Sequence, residues 1–407
     1  MAEKDFDILD YDCIGFDLDN TLARYKATAM VEMEYEIITQ FLIKNGFPKK
    51  HLLKPLDFDF LLKGLILDIE KGNILKVATD GKILSARHGT RMLSKGEINN
   101  YYPNYHWDLI DLFIRDPQET WNGPNSEIIR ALLDNYDIII SLVYARLVDS
   151  IDEENSEISP SYSACFKEIH KCFADMFTIE HFRLDKGEYY AKIKAEPNKY
   201  YYKCTEALIQ WLKMLKKKNK LIFLITGSYI DFASLTASNT LGPKWKDYFD
   251  IIITYAKKPG FFTQNRDFIG LDDTKMTGPI SYDKLQLGGI YCQGNWADLQ
   301  KFLSKYSTKS NPKFLYMGDN IIQDVHAPSV HTDCDTVAIS EELFVEENHC
   351  DPYPEEKLLK STIWGSYFRH NHDHTIWYKF IKDNARCCVP SVDFLIQVPL
   401  EKNFEFV

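Results

Sequence analysis

The chain has 407 residues, of which 45% are hydrophobic and 26% charged, and its formal net charge is −11. This length exceeds one ordinary hydrophobic core and the composition is that of a globular protein, so we expect two domains. The acidic balance excludes the global basic field that nucleic-acid-binding proteins use, and no apolar run is long enough to cross a membrane.

The first residues and the cysteines indicate the cellular compartment. Residues 1–12 are acidic and lack the apolar segment of a secretory signal. The nine cysteines are scattered and include no C-x-x-C pair, a pattern that fits reduced thiols better than a disulfide framework. We therefore expect a cytoplasmic protein.

Five apolar segments with strand character recur along the chain, and helical patterns such as 229–239 and 295–306 lie between them. The segments are 13–17, 221–226, 249–254, 313–319 and 335–339. Continuous apolar runs of this length are typical of strands buried on both faces of a parallel sheet. The alternation predicts an α/β fold with a doubly wound, mainly parallel sheet in which 13–17 is central. Its ligand should bind at the C-terminal ends of the strands.

A gap of about 200 residues separates the first of these strands from the second, far more than a single crossover needs. The gap contains a hairpin pattern that turns at Asp80-Gly81 and a helical pattern over 127–149. It must therefore hold another domain. The predicted division is a discontinuous core (1–24 and 206–345), a cap inserted after the first core strand (25–205) and a C-terminal extension that packs on the core (346–407).

Two carboxylates follow the first strand in the sequence CIGFDLDNTLARYK, residues 13–26. Residues two apart on an extended backbone face the same way, so Asp17 and Asp19 should point to one side and Leu18 to the other. Carboxylates this close repel unless a cation lies between them, and Mg²⁺ favours such oxygen ligands. Taken alone, the pair is better explained as a polar strand end that is open to water.

Three further predicted strands end in residues of complementary chemistry. The second ends in Thr226-Gly227-Ser228, where a hydroxyl and a glycine near a helix N-terminus suit phosphoryl oxygens. The third runs into Lys257 and Lys258, and the fourth ends in Asp319 and Asp324. Because the C-terminal ends of parallel strands meet at one edge of the sheet, these residues indicate a shared site.

The order D-x-D-x-T, Thr, Lys, G-D-x-x-x-x-D resembles the haloacid dehalogenase superfamily. Longer segments, among them FDLDNTLARYK, KKPGFF, YCQGNWADL, GDNIIQD and WGSYFR, resemble the cytosolic 5′-nucleotidase family from about residue 12 to residue 400. The resemblance implies a Rossmann-like core with a cap. It also implies an Mg²⁺-dependent phosphomonoesterase that forms an aspartyl phosphate and acts on 5′-nucleotides or related small phosphates.

The resemblance further implies a role for each residue at the strand ends. Asp17 would be the nucleophile, and Asp19 would protonate the leaving alcohol and then deprotonate the attacking water. Thr226 and Lys258, together with Gly227 and Ser228, would hold the phosphoryl oxygens. The implied Mg²⁺ ligands are Asp17, the backbone carbonyl of Asp19, Asp319 and, in support, Asp324.

The positions that bind the base in purine-specific relatives are matched less closely. Alignment places Tyr136 where those relatives stack an aromatic ring on the base, with Asp137 beside it. Tyr136 is equally well explained as a core residue of an apolar helix. The relatives' Asp and His before Lys-Gly are replaced by His181 and Leu184 in HFRLDKG, so their base preference does not carry over to this chain.

Three alternating histidines, His370, His372 and His374, could indicate a metal site. No cysteine and no further histidine cluster lies nearby in the sequence, so we expect a surface loop instead. The basic run Lys216-Lys217-Lys218 follows an amphipathic segment, where lysines complement a helix C-terminus.

Two alternatives to a phosphatase stay open. One is a catalytically idle binding or scaffold protein that keeps the fold, and the other is a nucleoside phosphotransferase that uses the same intermediate. The expected partner is a small-molecule phosphate ester, most simply a nucleotide, and we expect neither a nucleic acid nor a membrane as a partner. The sequence leaves open whether the protein forms a homo-oligomer.

Overall fold

The computed structural model describes residues 6–121, 123–154, 160–346 and 356–397. The chain divides into two compact units. The first unit consists of Met1–Tyr25, Glu196–Leu343 and Phe380–Val407, and the second of Lys26–Ala195 and Phe344–Lys379. Among the described helices, none has both the length and the apolar character that a membrane span requires.

The strands are, in chain order, β1 (Cys13–Phe16), β2 (Ile66–Asp68), β3 (Asn73–Val77), β4 (Ile83–His88), β5 (Arg91–Met92), β6 (Ile129–Ala131), β7 (Leu221–Ile225), β8 (Ile251–Thr254), β9 (Phe268–Asp272), β10 (Lys275–Ile280), β11 (Gly289–Gln293), β12 (Phe314–Gly318), β13 (Asp335–Ile339), β14 (Lys360–Ser361), β15 (Gly365–Ser366), β16 (Arg369–His370), β17 (Asp373–His374) and β18 (Cys387–Val389).

The α-helices are α1 (Ala27–Lys44), α2 (Lys49–Leu52), α3 (Lys95–Tyr101), α4 (Asp108–Arg115), α5 (Pro117–Trp121), α6 (Ile139–Glu154), α7 (Tyr162–Met176), α8 (Ile179–Arg183), α9 (Glu188–Ala195), α10 (Pro197–Tyr200), α11 (Glu206–Lys217), α12 (Ile230–Thr240), α13 (Gly260–Thr263), α14 (Trp296–Tyr306), α15 (Ala327–His331), α16 (Leu343–Glu346), α17 (Ile376–Asn384) and α18 (Val392–Gln397). Short 3₁₀ helices are Ile8–Asp10, Phe58–Phe60, Pro103–Tyr105, Pro124–Glu127, Trp245–Tyr248 and Tyr282–Lys284, and Ile321–His326 is a π-helix.

The first unit is built on a nine-stranded sheet in the order β10-β9-β11-β8-β7-β1-β12-β13-β18. Only β9 and β10 run antiparallel to their neighbours. β1 lies between β7 and β12, in parallel register with both. Its residues alternate between two buried apolar clusters, since Ile14 packs with the first cluster and Cys13 with the second. A sheet buried on both faces is the doubly wound α/β architecture that the sequence predicts, and this prediction is confirmed.

Gly15, in the middle of β1, allows this close packing. A Cβ atom there would lie 2.0 Å from the ring of Phe223 on β7, a distance that no side chain tolerates. All four residues of β1 are buried, so the strand is held firmly at the centre of the sheet. The residues that follow β1 are therefore presented from a rigid support.

The second unit contains a five-stranded antiparallel sheet in the order β5-β4-β3-β2-β6. The predicted hairpin turn at Asp80-Gly81 is confirmed, because the Ala78 N–H donates to the Lys82 carbonyl at 2.8 Å across it. The predicted helix over 127–149 is wrong in its first part. Residues 129–131 form β6, which pairs with β2, and α6 begins only at Ile139. The run of apolar residues there fits a helix and a strand equally well, and the pairing with β2 decides between them.

The C-terminal part of the chain differs from the predicted division in two ways. Phe344–Lys379 belongs to the second unit instead of packing on the core. Two indole N–H groups explain this placement, since Trp364 donates to the Phe60 carbonyl at 2.9 Å and Trp377 to the Gly64 carbonyl at 2.8 Å. Later in the chain, β18 adds a parallel strand to β13 in the sheet of the first unit.

The segment with the alternating histidines is a short hairpin of β16 and β17, whereas the sequence predicts a surface loop. His370 Nδ1 lies 3.1 Å from the Trp364 carbonyl oxygen, and the ring of His374 stacks on Tyr378 with centroids 3.9 Å apart. His370 and His374 therefore contribute to the packing of the second unit.

Candidate active site

The C-terminal ends of β1, β7 and β12 lie side by side, because β1 pairs with the other two strands in parallel register. Asp17 follows β1, Thr226 follows β7 and Asp319 follows β12. The Asp17 N–H donates to the Met317 carbonyl at 2.8 Å, which extends the ladder by one residue and holds Asp17 beside the end of β12. The sheet alone thus brings these three residues to one edge.

Lys258 lies beyond the end of β8 and joins two carboxylates. Its Nζ donates to Asp17 Oδ1 at 2.8 Å and to Asp324 Oδ1 at 2.6 Å, and it lies 3.3 Å from the Tyr316 hydroxyl oxygen. The side chains of Lys258, Asp17 and Asp324 are only 4%, 8% and 1% exposed, so the ion pairs are shielded from water. Charge-assisted hydrogen bonds of this kind are short and strong.

The loop that carries Lys258 has an unusual backbone. Tyr255 and Lys257 have φ angles of +45° and +55°, in the left-handed region that costs a non-glycine residue about 1 to 3 kcal/mol. The ring of Tyr255 stacks on that of Tyr229 with centroids 4.0 Å apart, and this contact helps to hold the loop. Strain of this kind is often found where a side chain must be aimed at a functional site.

Burial and neighbouring charges act in opposite directions on the groups of this site. Burial alone would lower the pKa of Lys258, but the carboxylates of Asp17 and Asp324 outweigh it and raise that pKa above its ordinary value. For Asp17, burial outweighs the attraction of Lys258, and the charges of Asp324 and Asp19 add to it, so its pKa rises to about 8. Lys258 is therefore held in its charged form, whereas Asp17 lacks sufficient positive charge nearby to offset its burial.

Asp17, Asp319 and Asp324 each offer one carboxylate oxygen, and these three oxygens lie within 4.8 Å of one another. This spacing suits coordination of one small hard cation, and oxygen ligands are the chemistry that Mg²⁺ prefers, with water and phosphate oxygens completing its coordination. A bound cation would also supply the positive charge that the buried carboxylates lack. These residues therefore fit an Mg²⁺ ion.

Two features allow Asp324 to approach so closely. A Cβ atom on Gly318 would lie 2.4 Å from the Asp324 Cβ, so only glycine fits at the end of β12. Asp324 itself lies in the π-helix, whose start is capped by the Asn320 side chain through the N–H groups of Ile322 and Gln323 at 3.2 and 3.0 Å. π-Helical turns are frequently found at functional sites.

The side chain of Asp19 takes part in a separate set of hydrogen bonds. Its Oδ2 accepts from the Ser228 hydroxyl at 2.8 Å and from the Thr226 hydroxyl at 3.2 Å. Its Oδ1 accepts from the Tyr25 hydroxyl at 2.7 Å. Three hydroxyl groups thus hold this carboxylate, which is separate from the group formed by Asp17, Asp319 and Asp324.

Seven of the predicted site residues are brought together in the first unit: Asp17, Asp19, Thr226, Ser228, Lys258, Asp319 and Asp324. Gly227 lies between two of them with open space where a side chain would be. Tyr136 and Asp137 lie in the second unit. The ring of Tyr136 packs edge-to-face on Phe177 with centroids 6.1 Å apart, and Asp137 is buried. Their role in substrate binding stays a prediction.

Two tyrosines of the site escape prediction from the sequence. Tyr316 on β12 is buried, and its hydroxyl donates to the Ile225 carbonyl at 3.0 Å beside Lys258. Burial, followed by the charge of Asp324, raises the pKa of Tyr316 well above its ordinary value, so it stays protonated. A tyrosine inside an apolar strand signals a hydroxyl that needs a partner, and this signal could have identified it. Tyr25 lies six residues after Asp19 in the same motif.

Comparison with known proteins decides the family. The model of the 5′ nucleotidase family matches residues 2–358. The chain belongs to the 5′ nucleotidase family. Membership in the 5′ nucleotidase family makes the protein an enzyme, a hydrolase of phosphoric monoesters, and it confirms the family predicted from the sequence motifs.

Individual relatives match over nearly the whole length. The chain is similar to the proteins called 5′-nucleotidase domain-containing protein 1 from Bos taurus and from Homo sapiens, at 32% identity over 99% of this chain and 93% of each relative. A solved structure of the HAD-hydrolase YfnB from Bacillus subtilis bound to magnesium covers 95% of this chain and 96% of that chain, with 8% identity and a TM-score of 0.29.

Proposed function

We propose that the protein is an Mg²⁺-dependent phosphatase that releases inorganic phosphate from 5′-nucleotides and carries the phosphoryl group on Asp17 during the reaction. The observation that supports this most strongly is the convergence of the Asp17, Asp319 and Asp324 carboxylates within 4.8 Å of one another, beside the buried cation of Lys258. A structural ion pair needs one carboxylate for one lysine. The additional carboxylates are useful to a protein that binds a metal ion.

Asp17 is the proposed nucleophile. One of its carboxylate oxygens attacks the phosphorus atom, the ester P–O bond breaks in line with it, and the leaving oxygen takes a proton from Asp19. In the second step Asp19 takes a proton from a water molecule, the water oxygen attacks the same phosphorus atom, and the bond to Asp17 breaks. Phosphate leaves, and both carboxyl groups return to their initial states.

The remaining residues of the site bind and orient. The Thr226 and Ser228 hydroxyls lie beside Asp19 and are the proposed donors to the phosphoryl oxygens. Lys258 supplies a fixed positive charge next to Asp17. An Mg²⁺ ion held by Asp17, Asp319 and Asp324 would neutralise charge on the phosphate and on the carboxylates.

The substrate assignment rests on the family and on the two relatives named as 5′-nucleotidase domain-containing proteins. The proposed role of the second unit, with Tyr136 and Asp137, is to select among phosphate esters. The cytoplasmic location also stays a prediction, and the eight cysteines that the structure describes are free thiols, as that location requires.

A phosphatase screen with the purified protein tests the proposal. Nucleoside 5′-monophosphates, sugar phosphates and 4-nitrophenyl phosphate are compared with Mg²⁺ and with EDTA. We expect Mg²⁺-dependent phosphate release that is fastest with a nucleotide and that Asp17→Asn abolishes. Release that is insensitive to EDTA, or that Asp17→Asn retains, would show that another site is responsible and overturn the proposal.

A further inference from the structure

The two oxygens of the Asp19 carboxylate accept hydrogen bonds from residues in different parts of the chain. Thr226 and Ser228, beyond the end of β7, donate to one oxygen of its carboxylate. The other oxygen accepts from the Tyr25 hydroxyl at 2.7 Å. Thr226 and Ser228 are predicted to bind phosphate, but Tyr25 has no such role, and the mechanism above does not use it.

Tyr25 is fixed in place by its own neighbours. It is 1% exposed, and its ring lies against that of Tyr201 with centroids 4.9 Å apart. The backbones of these two residues form an isolated antiparallel bridge. The Thr236 hydroxyl oxygen on α12 lies 3.3 Å from the Tyr25 hydroxyl and 3.1 Å from that of Tyr201. All three residues are buried.

The direction of these hydrogen bonds follows from the carboxylate at one end. The Tyr25 hydroxyl donates to Asp19 Oδ1 at 2.7 Å, so its single proton is used there. Thr236 must then donate to Tyr25, which leaves the Thr236 oxygen to accept from Tyr201. The four groups form a directed chain from Tyr201 through Thr236 and Tyr25 to Asp19, in which each bond polarises the next.

The chain of hydroxyls lies where the backbone leaves and re-enters the first unit. Tyr25 is the last residue of the unit's first segment, and Tyr201 follows shortly after its second segment begins at Glu196. The Tyr202 N–H donates to the Arg24 carbonyl at 3.0 Å, so the two segments are joined next to the bridge. Tyr25, which contacts Asp19, is therefore held at the point where the first and second segments of the first unit are joined.

We propose that Tyr25 is a positioning residue, whose hydroxyl fixes the orientation of the Asp19 carboxylate for proton transfer, with the Thr236 hydroxyl and the ring of Tyr201 holding it in place. The proposal rests on the proposed function, in which Asp19 gives and takes the proton. When the Thr226 and Ser228 hydroxyls donate to the phosphate, the Tyr25 hydroxyl is the anchor that stays on the carboxylate and limits its rotation about the Cβ–Cγ bond. Without the Tyr25 anchor, the acid is not kept within the 2.6 to 3.2 Å reach that proton transfer requires, and a small misplacement of this kind is costly.

The test compares Tyr25→Phe with the matched control Tyr201→Phe. Both variants keep the ring pair and lose one hydroxyl, but only the first loses the contact to Asp19. Rates are measured with a nucleoside 5′-monophosphate, whose leaving alcohol needs a proton, and with 4-nitrophenyl phosphate, whose leaving group needs none. For each variant the phosphorylation step is recorded as the pre-steady-state release of the leaving group, and the thermal melting temperature is recorded alongside.

In Tyr25→Phe we expect the phosphorylation rate with the nucleotide to fall by about 10-fold, a fraction of the full general-acid effect. KM should stay within about twofold, and the burst of 4-nitrophenol should be retained. Tyr201→Phe should keep the ratio of the two rates within about threefold of wild type. Should Tyr25→Phe fail to fold, Thr236→Val breaks the same chain one step further out and is expected to show the same change of ratio at smaller size.

Three outcomes contradict the proposal in distinguishable ways. If Tyr25→Phe slows both substrates equally, or if it matches Tyr201→Phe, then Tyr25 only stabilises the fold. If the wild type hydrolyses nucleotides in an Asp17-dependent manner and Tyr25→Phe changes neither rate, the positioning proposal alone is wrong. If the wild type hydrolyses no phosphate ester, the proposed function fails and this proposal fails with it.

Discussion

Two buried lysines, one in each unit, have pKa values that are shifted in opposite directions. Lys258 in the first unit donates to two carboxylates, which raise its pKa above the ordinary value although burial opposes them. Lys76 on β3 of the second unit is 2% exposed and donates to the backbone carbonyls of Trp364 at 2.6 Å, of Arg369 at 2.9 Å and of Ser366. Burial lowers the pKa of Lys76 to about 7, and Glu346 opposes this only in part.

The difference shows that the charge of the partners, and not burial, decides what a buried lysine does. Formal negative charges keep Lys258 ionised at a strand edge where a phosphate is expected to bind. Three backbone carbonyls accept from the Lys76 ammonium group, but they do not offset the free energy that the charged group loses when it is removed from water. Lys258 is therefore suited to a reaction, and Lys76 to holding residues 364–369 against the sheet of the second unit.

Lys258→Met is the substitution with the largest expected effect. It removes the positive charge between Asp17 and Asp324, and we expect kcat for phosphate release to fall by about 10² to 10³, the usual loss of one electrostatic contact to a reacting group. Lys76→Met is the control and should retain kcat per folded molecule. A kcat for Lys258→Met within threefold of wild type would show that the two lysines do not differ in function.

Lys76→Met should instead lower stability. Its three carbonyl partners lose their donor, so we expect the free energy of unfolding of the second unit to fall by about 3 kcal/mol, measured by urea denaturation with tryptophan fluorescence. The stability difference should also depend on pH. The pKa of Lys76 is about 7 in the folded chain and has its ordinary value of 10.5 in the unfolded chain.

Between these two values the unfolded chain binds the extra proton, so the contribution of Lys76 to stability rises with pH. The advantage of the wild type over Lys76→Met is therefore expected to grow from pH 7 to about pH 10. An advantage that stays constant over this range would mean that Lys76 is held in its charged form, as Lys258 is.

Glu34→Gln has the smallest expected effect, and it extends the comparison from buried lysines to a buried carboxylate. Glu34 on α1 is fully buried, and neither carboxylate oxygen has a hydrogen-bond partner among the described residues. Burial, and then the charges of Asp134 and Asp137, raise its pKa well above the ordinary value of 4.5. The contribution of Glu34 to stability is thus fully present below pH 4.5, the pKa in the unfolded chain. It is lost as the pH rises toward the higher pKa of the folded chain.

Because glutamine keeps the shape without the charge, Glu34→Gln should raise the melting temperature at pH 7 by roughly 2 to 4 °C. The gain should vanish near pH 4, where glutamate is protonated in both states. A lower melting temperature at pH 7 would show that the Glu34 carboxylate has a stabilising partner and that it resembles Asp17 in this respect.

Most of the first unit could be predicted from sequence because its signals are local. Long apolar runs identify the central strands, and the residue just after each run locates Asp17, Thr226 and Asp319 at one edge. The two strands at the edges of this sheet could not be predicted because they lack this signal. β10 is largely exposed, and β18 has only three residues, so neither forms a long apolar run.

Contacts between distant parts of the chain could not be predicted. The role suggested for Tyr25 depends on Tyr201 and Thr236, which approach it only after the chain has built the second unit and returned. The sequence likewise predicts that 346–407 packs on the core, because no local pattern shows that Trp364 and Trp377 pack in the second unit. Apolar periodicity reports which face of an element is buried, but not against which partner.

The central claim is that Asp17 carries the phosphoryl group. Asp19→Asn keeps this nucleophile and removes the acid and base, so it should slow turnover of the nucleotide by about 10² to 10⁴. Mixed with 4-nitrophenyl phosphate and quenched in acid, this variant should accumulate phosphate on Asp17, detected by mass spectrometry of the peptide that contains it. Asp17→Asn should show no such peptide. Full turnover by the wild type, with no phosphorylated Asp17 in the trapped variant and with activity retained in Asp17→Asn, would contradict the account.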